Sequence, residues 1–300
     1  MKIIDIKFTN EKEKEDFVNK CEKDFEDRLD IASKAVVDSK EPFVIISGPT
    51  CAGKTTIANK VIDDFKALNK NVIIISLDDF FKERMDDRQV VDGEVIDYDS
   101  VDVLDLPLLK DCIDSMKIGN TFRIPQFDFI TQKRKGYKSY TIKDNDVLIF
   151  EGIQAVYPEI TSLFNNNYIG IFIDVCEDLC INGKEFTKNE IRLIRRLIRD
   201  KKFRGASPEF TFYLWESVRA NEEKSIFPNK DACGIKIDSF MCYELFLMKK
   251  YLQEAFSEIP EESKYYKKAQ SILDKISQFE EIDYKYIPKD SLYTEFLGKK

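Results

Sequence analysis

Residues 48–55 read Gly48-Pro49-Thr50-Cys51-Ala52-Gly53-Lys54-Thr55, which fits G-x-x-x-x-G-K-[ST]. An apolar run, Phe43-Val44-Ile45-Ile46-Ser47, leads into it, and a helix-compatible stretch from Thr56 to Leu68 leads out. Glycines let such a loop curl so that successive N–H groups and the helix N-terminus converge on phosphate oxygens. In that arrangement Lys54 reaches the β- and γ-phosphates of a nucleoside triphosphate, and the Thr55 hydroxyl binds Mg²⁺. The whole run from Gly48 to Thr56 is read as the nucleotide cradle, with Cys51 fitting a variable position.

Working outward, further apolar runs alternate with longer helical patterns: Val72–Ile75, Val147–Phe150, Tyr168–Ile173 and, more weakly, Gly234–Ile237. Continuous apolar runs separated by helices mark strands buried on both faces of a parallel sheet. The fold class is therefore α/β, a doubly wound parallel sheet of the P-loop NTPase type. Thr121–Ile142 carries Pro125 and Gly136 between two β-like pieces and reads as an inserted hairpin. From Glu11 to Lys40, Phe17, Cys21, Phe25 and Ala32 recur at helical spacing among charges, giving an amphipathic helix. Helical patterns also span Met241–Phe256 and Glu262–Phe279, whereas Glu280–Lys300 has little periodicity. The expected organisation is a helical extension (1–40), a P-loop domain (41–250) and a C-terminal helical extension with a tail (251–300).

The 300 residues include no histidine, which removes Ser-His-Asp and Cys-His triads and His-ligated metals. Acid–base chemistry must fall to carboxylates, Lys, Tyr or Cys. A net charge of −8 argues against a nucleic-acid or membrane partner. No apolar run approaches the roughly 20 residues of a membrane span. Seven scattered cysteines without a Cys-x-x-Cys pair, and no signal-peptide pattern, point to reduced thiols and a cytoplasmic location.

Two strand candidates end in acids: Val72–Leu77 runs into Asp78-Asp79, and Val147–Phe150 runs into Glu151-Gly152. Ligands of open α/β sheets bind at the carboxyl ends of strands, so these acids open onto the same crevice as the phosphate loop. An acid there can hold Mg²⁺ or its water, or take a proton from an attacking hydroxyl. Charge is also segregated: Asp78–Asp99 holds nine acids against three bases, and Lys184–Arg204 holds nine bases against three acids. Arg192, Arg195, Arg196 and Arg199 recur at helical spacing opposite Ile191, Ile194, Leu197 and Ile198. Such a helix suits a solvated basic face, or a movable lid whose arginines close over the phosphates; the second reading is preferred. No Asn-Lys-x-Asp is present to read guanine, as a GTPase requires, and no basic surface supports a DNA motor.

With these residues in view, the chain resembles the phosphoribulokinase/uridine kinase family of P-loop kinases, particularly its bacterial uridine kinase-like branch. The matching segments are Gly48–Thr55, Ser76–Phe81, Tyr98-Asp99, Pro125–Phe129 and Ile149–Gly152, followed by Arg192–Arg204, Ser217–Arg219 and Ile226–Pro228. The resemblance covers roughly residues 41–250 in collinear order and implies an arginine-bearing lid and a hairpin roofing the acceptor site. It implies that Asp78 is the base for the acceptor hydroxyl, that Glu151 helps organise Mg²⁺, and that Asp99 binds ribose hydroxyls. Phe81, Phe127 and Phe129 fall where a base or sugar packs. Departures accompany it: the family usually has tyrosine where Phe81 and Phe127 stand, histidine at Gln132, and a base-reading arginine near Ala206.

The expected activity is ATP- and Mg²⁺-dependent transfer of the γ-phosphoryl to a hydroxyl of a nucleoside, uridine- or cytidine-like. Lys54, Asp78, Arg196 and Arg199 are its catalytic candidates. Arg204 is assigned to ATP, Asp99, Gln132, Arg196 and the three phenylalanines to the acceptor, and Thr55, Asp78 and Glu151 to the metal. A same-fold kinase of a sugar phosphate or pantothenate-like acceptor, and a non-catalytic ATP-binding regulatory module, are the alternatives. A homo-oligomer is left open. Asp99 also suits an N-cap for a helix beginning near Val101.

Overall fold

The computed structural model describes residues 1–83, 90–91, 94–95, 98–129 and 131–299. Within the acidic stretch from Asp78 to Asp99, residues 84–89, 92–93 and 96–97 fall outside that description. A short strand, β1 (Lys2–Ile4), precedes the long helix α1 (Glu11–Ser39), which Asn10 caps by accepting from the Glu13 N–H. Strand β2 (Phe43–Ser47) runs through the phosphate loop into α2 (Lys54–Ala67), and β3 (Asn71–Ser76) follows. Two paired dipeptides, β4 (Val90–Val91) and β5 (Glu94–Val95), come before α3 (Leu106–Lys117). The expected hairpin is present as β6 (Thr121–Asp128) and β7 (Lys133–Thr141), with a bulge between Gln126 and Phe127.

The chain returns through β8 (Asp146–Glu151), α4 (Pro158–Thr161) and β9 (Tyr168–Asp174). A small hairpin, β10 (Leu179–Ile181) and β11 (Lys184–Phe186), joins β1 in a separate sheet. Helices α5 (Lys188–Arg204) and α6 (Pro208–Asn221) lead to β12 (Ile235–Asp238), α7 (Glu244–Phe256) and α8 (Tyr266–Ile276), then a single turn, α9 (Thr294–Leu297).

All five apolar runs pair in one parallel sheet, in the order β12-β9-β2-β8-β3. The phosphate loop follows the central strand, between β9 and β8, where the strand order reverses and a crevice opens. Alternate residues face two different layers: Val44, Ile46, Ile149 and Ile171 pack towards α1, α2, α5 and α7. Phe43, Ile45, Leu148 and Phe150 pack towards α3 and the β6–β7 hairpin. Burial on both faces is why the runs of β2, β8 and β9 are unbroken in sequence, whereas β3 and β12 lie at the edges and Ile74 of β3 is exposed. Among the described residues no helix is long and apolar enough to cross a membrane.

Two local expectations are corrected. Helix α3 begins at Leu106, not near Val101: Val101–Val103 is a separate 3₁₀ turn capped by Ser100, and Asp105 caps the helix by accepting from the Leu108 N–H at 3.1 Å. Between them Leu104 is extended and bridges Phe81, which interrupts the helical path. The tail that lacks periodicity is nonetheless packed. Ile282, Ile287, Leu292, Tyr293, Phe296 and Leu297 are buried in the same layer as α5 and α7, reached through turns too short to leave a period.

Candidate active site

Two glycines show why the loop needs them. A side chain on Gly48 would put its Cβ 2.0 Å from the Ile173 carbonyl oxygen, and Gly53 sits at φ 96°, a left-handed conformation that L-residues avoid. Lys54 folds over the loop and donates to the carbonyls of Gly48 (2.9 Å) and Pro49 (3.0 Å). Burial pushes its pKa down, and the opposing pull of Glu151, then Glu295, only partly offsets this. Thr55 stands exposed on the first turn of α2.

The loop is braced by Arg192 and Arg195, two of the four arginines expected to close over the phosphates. Arg192 donates to the Thr50 carbonyl (3.2 Å) and grips both oxygens of Glu222 at 2.5 and 2.6 Å. Arg195 donates to the Cys51 carbonyl (3.1 Å) and grips Glu244 at 2.6 and 2.7 Å, with Ser239 as a further partner. Both guanidiniums are fully buried, so α5 is held in the core and is not a loosely laid cover with a solvated basic face. The arginine spacing placed them on one helix; their acid partners lie tens of residues away, so the pairing had no local signal. Replacing Arg195 by Met strands Glu244 as a buried carboxylate, and should cost roughly 3–5 kcal/mol in urea unfolding. The double change Arg195→Met/Glu244→Leu should recover most of it, and additive losses would show that the pair is not coupled.

Arg196, Arg199 and Arg204, the arginines assigned to the phosphates, converge instead on one carboxylate. Asp200 lies 3.2 Å from Arg196 Nε, 2.7 Å from Arg199 Nη2 and 3.6 Å from Arg204 Nε. One acid among three guanidiniums leaves net positive charge at the end of α5. Arg204 is largely exposed, and its pKa is lowered by burial of the stem and then by the charge of Arg199.

Strands β3 and β8 bring their terminal acids together. Glu151 accepts from Ser76 Oγ at 2.7 Å, an orienting contact between paired residues of the two strands. Asp78 keeps an exposed surface just beyond the end of β3. Desolvation, then the negative charge of Glu151, pushes its pKa up to about 6, with Lys54 pulling the other way and Asp99 and Asp79 adding to the rise. Asp79 serves the hairpin instead, since its Oδ1 accepts from the Phe127 N–H at 3.0 Å and ties that element down. The two side chains diverge because Leu77–Phe80 is a 3₁₀ turn, with three residues per turn, and not the extended chain that strand alternation would suggest. Two more sheet strands end in acids, but Asp174 is buried beside Arg192 (3.4 Å), and Asp238 accepts from the N–H groups of Cys176 and Phe240.

Asp99 is held near this group by its backbone. Tyr157 Oη donates to the Asp99 carbonyl (2.8 Å), and Gln154 Nε2 donates to the neighbouring Tyr98 carbonyl (2.9 Å). Because Ser100 and Asp105 cap the turn and the helix, Asp99 is not needed as a cap. Its charge reaches both Lys54 and Asp78.

Beyond Asp78 the aromatic residues gather. Phe81 stacks on Tyr98 with centroids 5.8 Å apart, and meets Phe127 and Phe129 edge-on at 5.6 Å each. A cavity of about 200 Å³ is lined by Phe81, Lys82, Tyr98, Asp102, Val103, Phe127 and Gln132. Phe81 and Phe127 are buried, whereas Phe129 is half-exposed. Gln132 lines the cavity with its amide engaged at both ends: Oε1 accepts from Tyr98 Oη (3.2 Å) and Nε2 donates to the Phe129 carbonyl (2.7 Å).

A phosphate loop at the switch point of a parallel sheet, facing strand-end carboxylates and an aromatic cavity, is the build of a P-loop phosphotransferase. The sequence profile described as "Phosphoribulokinase / Uridine kinase family" matches residues 43–185. The uridine-cytidine kinase B of Dictyostelium discoideum is 31% identical over 202 residues, covering 66% of this chain and 75% of the relative. A uridine kinase of Lactobacillus johnsonii is 31% identical over 174 residues, covering 58% and 74%. A solved structure described as a possible uridine kinase from Bacillus stearothermophilus has a TM-score of 0.48 at 18% identity, covering 72% of this chain and all of that one. The chain belongs to the phosphoribulokinase/uridine kinase family, and is a kinase that phosphorylates a hydroxyl of a nucleoside or other small molecule.

Proposed function

We propose that the chain transfers the γ-phosphoryl group of ATP to a hydroxyl of a ribonucleoside, with Mg²⁺ as the metal. The observation that carries this reading is that β3 and β8 end side by side next to the strand leading into the phosphate loop, with Glu151 anchored on Ser76 and Asp78 just beyond, its pKa pushed up to about 6. A carboxyl with that pKa is ionised at neutral pH and is a stronger proton acceptor than an ordinary aspartate, which suits a general base. Thr55, Asp78 and Glu151 offer hard oxygen donors of the kind Mg²⁺ takes while it keeps several waters and phosphate oxygens. Bound there, the ion would neutralise charge on the β- and γ-oxygens. Arg196, Arg199 and Arg204 supply positive charge at the end of α5. Phe81, Phe127 and Phe129 give the acceptor base apolar contact without tyrosine hydroxyls, so uridine- and cytidine-like acceptors would be held by packing more than by hydrogen bonds. A screen of labelled ATP against nucleosides, sugar phosphates and vitamins, with Mg²⁺ present, tests the proposal. Labelling of a ribonucleoside is expected, and labelling of a non-nucleoside alone would overturn the acceptor assignment.

Asp99 separates ribose from other acceptors. One carboxylate can accept from both hydroxyls of a vicinal diol, in charge-assisted bonds of roughly 1.5–3 kcal/mol each. Wild type should prefer a ribonucleoside over its 2′-deoxy analogue, and Asp99→Asn should lose about tenfold in kcat/KM and narrow the preference, with Tm unchanged. A wild-type enzyme indifferent to the 2′-hydroxyl would remove Asp99 from that role.

A further inference from the structure

The buried tail touches the phosphate loop. A Cβ on Gly53 would lie 2.3 Å from Leu292 Cδ1, so the leucine is in direct contact with the loop's second glycine. One turn further on, Glu295 Oε2 accepts from Thr56 Oγ1 at 3.1 Å. The segment between them is fixed. Tyr293 is fully buried, donates to Glu244 Oε2 (2.8 Å) and accepts from the Met241 N–H (3.2 Å), and Phe296 is fully buried under the Arg195 guanidinium. The Leu297 carbonyl accepts from Lys202 Nζ at 3.0 Å. A segment anchored on both sides of Glu295 is a wall of the nucleotide site and not a displaceable strap.

The half-buried Glu295 carboxylate therefore stands beside the phosphate loop at a fixed place. In a P-loop the lysine serves the β- and γ-phosphates while N–H groups of the loop and first helical turn serve the α- and β-phosphates. Thr56, the next donor after Thr55, lies at the α end of that row, and the ribose is bonded to the α-phosphate. A carboxylate beside the phosphates would be repelled unless it met donors, and the groups next to an α-phosphate that can donate are the ribose hydroxyls. We infer that Glu295 is a specificity-determining residue for the phosphoryl donor, accepting hydrogen bonds from the 2′- and 3′-hydroxyls of the nucleotide ribose. This rests on the loop being an ATP site, as proposed above.

The test is calorimetric titration of the full chain with Mg-ATP, 2′-deoxy-ATP and 3′-deoxy-ATP, which needs no acceptor. Wild type is expected to bind ATP about tenfold more tightly than either deoxy analogue, the scale of one charge-assisted hydrogen bond. Glu295→Gln should weaken ATP most and each deoxy analogue less, since each keeps one hydroxyl, and so narrow the gap between them, with Tm unchanged because the amide oxygen still accepts from Thr56. A wild type that binds ATP without discriminating the deoxy analogues overturns the inference and leaves the kinase reading standing. So does a Glu295→Gln variant that retains the discrimination, or that binds ATP more tightly because a repelling charge is gone. A folded wild type that binds no ATP overturns both readings.

Discussion

Lys54→Ala is expected to lower kcat/KM by about 10²-fold or more, the scale for losing one preorganised charge aimed at transition-state oxygens. The lysine is partly desolvated and, without nucleotide, spends its donors on the carbonyls of Gly48 and Pro49. Bound phosphates offer it charged acceptors in place of neutral ones, so its interaction strengthens where charge moves during transfer. Steady-state kinetics at saturating acceptor would check this, with thermal unfolding as the control for folding. Near wild-type turnover by the folded variant would show that the loop does not take part in catalysis.

Asp78→Asn is the second large effect. The variant should still bind ATP and lose most turnover, because an amide cannot take the acceptor's proton. Asp79→Asn should be much milder, since an amide oxygen can still accept from the Phe127 N–H. If Asp79→Asn were the more damaging change, the base would be shifted by one residue. Wild-type kcat/KM should fall as pH drops through about 6, the pKa at which Asp78 takes up its proton. Stability should respond in the opposite sense. A carboxyl whose folded pKa lies above its unfolded value favours the folded state when protonated, and that contribution is lost as pH rises through about 6. Asp78→Asn should therefore melt above wild type at pH 8, and the gap should close at low pH, where both side chains are neutral. A variant with the same Tm advantage at every pH would show that desolvation of the charge is not the cause.

The sheet and the phosphate loop were legible because each leaves a local mark. Val44 to Ile46 and Val147 to Phe150 are apolar without interruption, and Gly53 sits where the backbone takes a positive φ. The pair Asp78 and Glu151 was legible from position, Glu151 closing β8 and Asp78 standing two residues past β3. That rule alone does not distinguish them from Asp174 and Asp238, which also end strands yet spend their oxygens on Arg192 and on backbone N–H groups. The arginines show the same limit. Arg192, Arg195, Arg196 and Arg199 share one face of α5 and differ in the acid each meets, which for the first two is Glu222 and Glu244, 30 and 49 positions away. The role of the tail was illegible for a physical reason: residues 282–297 pack through short turns, and no repeating pattern records what such a segment touches.

The contact between Thr56 and Glu295 joins residues 239 positions apart, so the nucleotide cradle and the tail open or hold together. Whatever binds the folded cradle and not the unfolded chain adds RT ln(1 + [L]/Kd) to the free energy of every opening that breaks the site. Amides of 292–297 should thus exchange with solvent deuterium more slowly when ATP is bound, although they lie outside the phosphate-loop motif. At a nucleotide concentration about 100-fold above Kd, the slowing should approach 100-fold for openings that detach the tail, and should vanish for local fraying that leaves the loop intact. The tail's exchange rate thereby becomes a gauge of nucleotide occupancy.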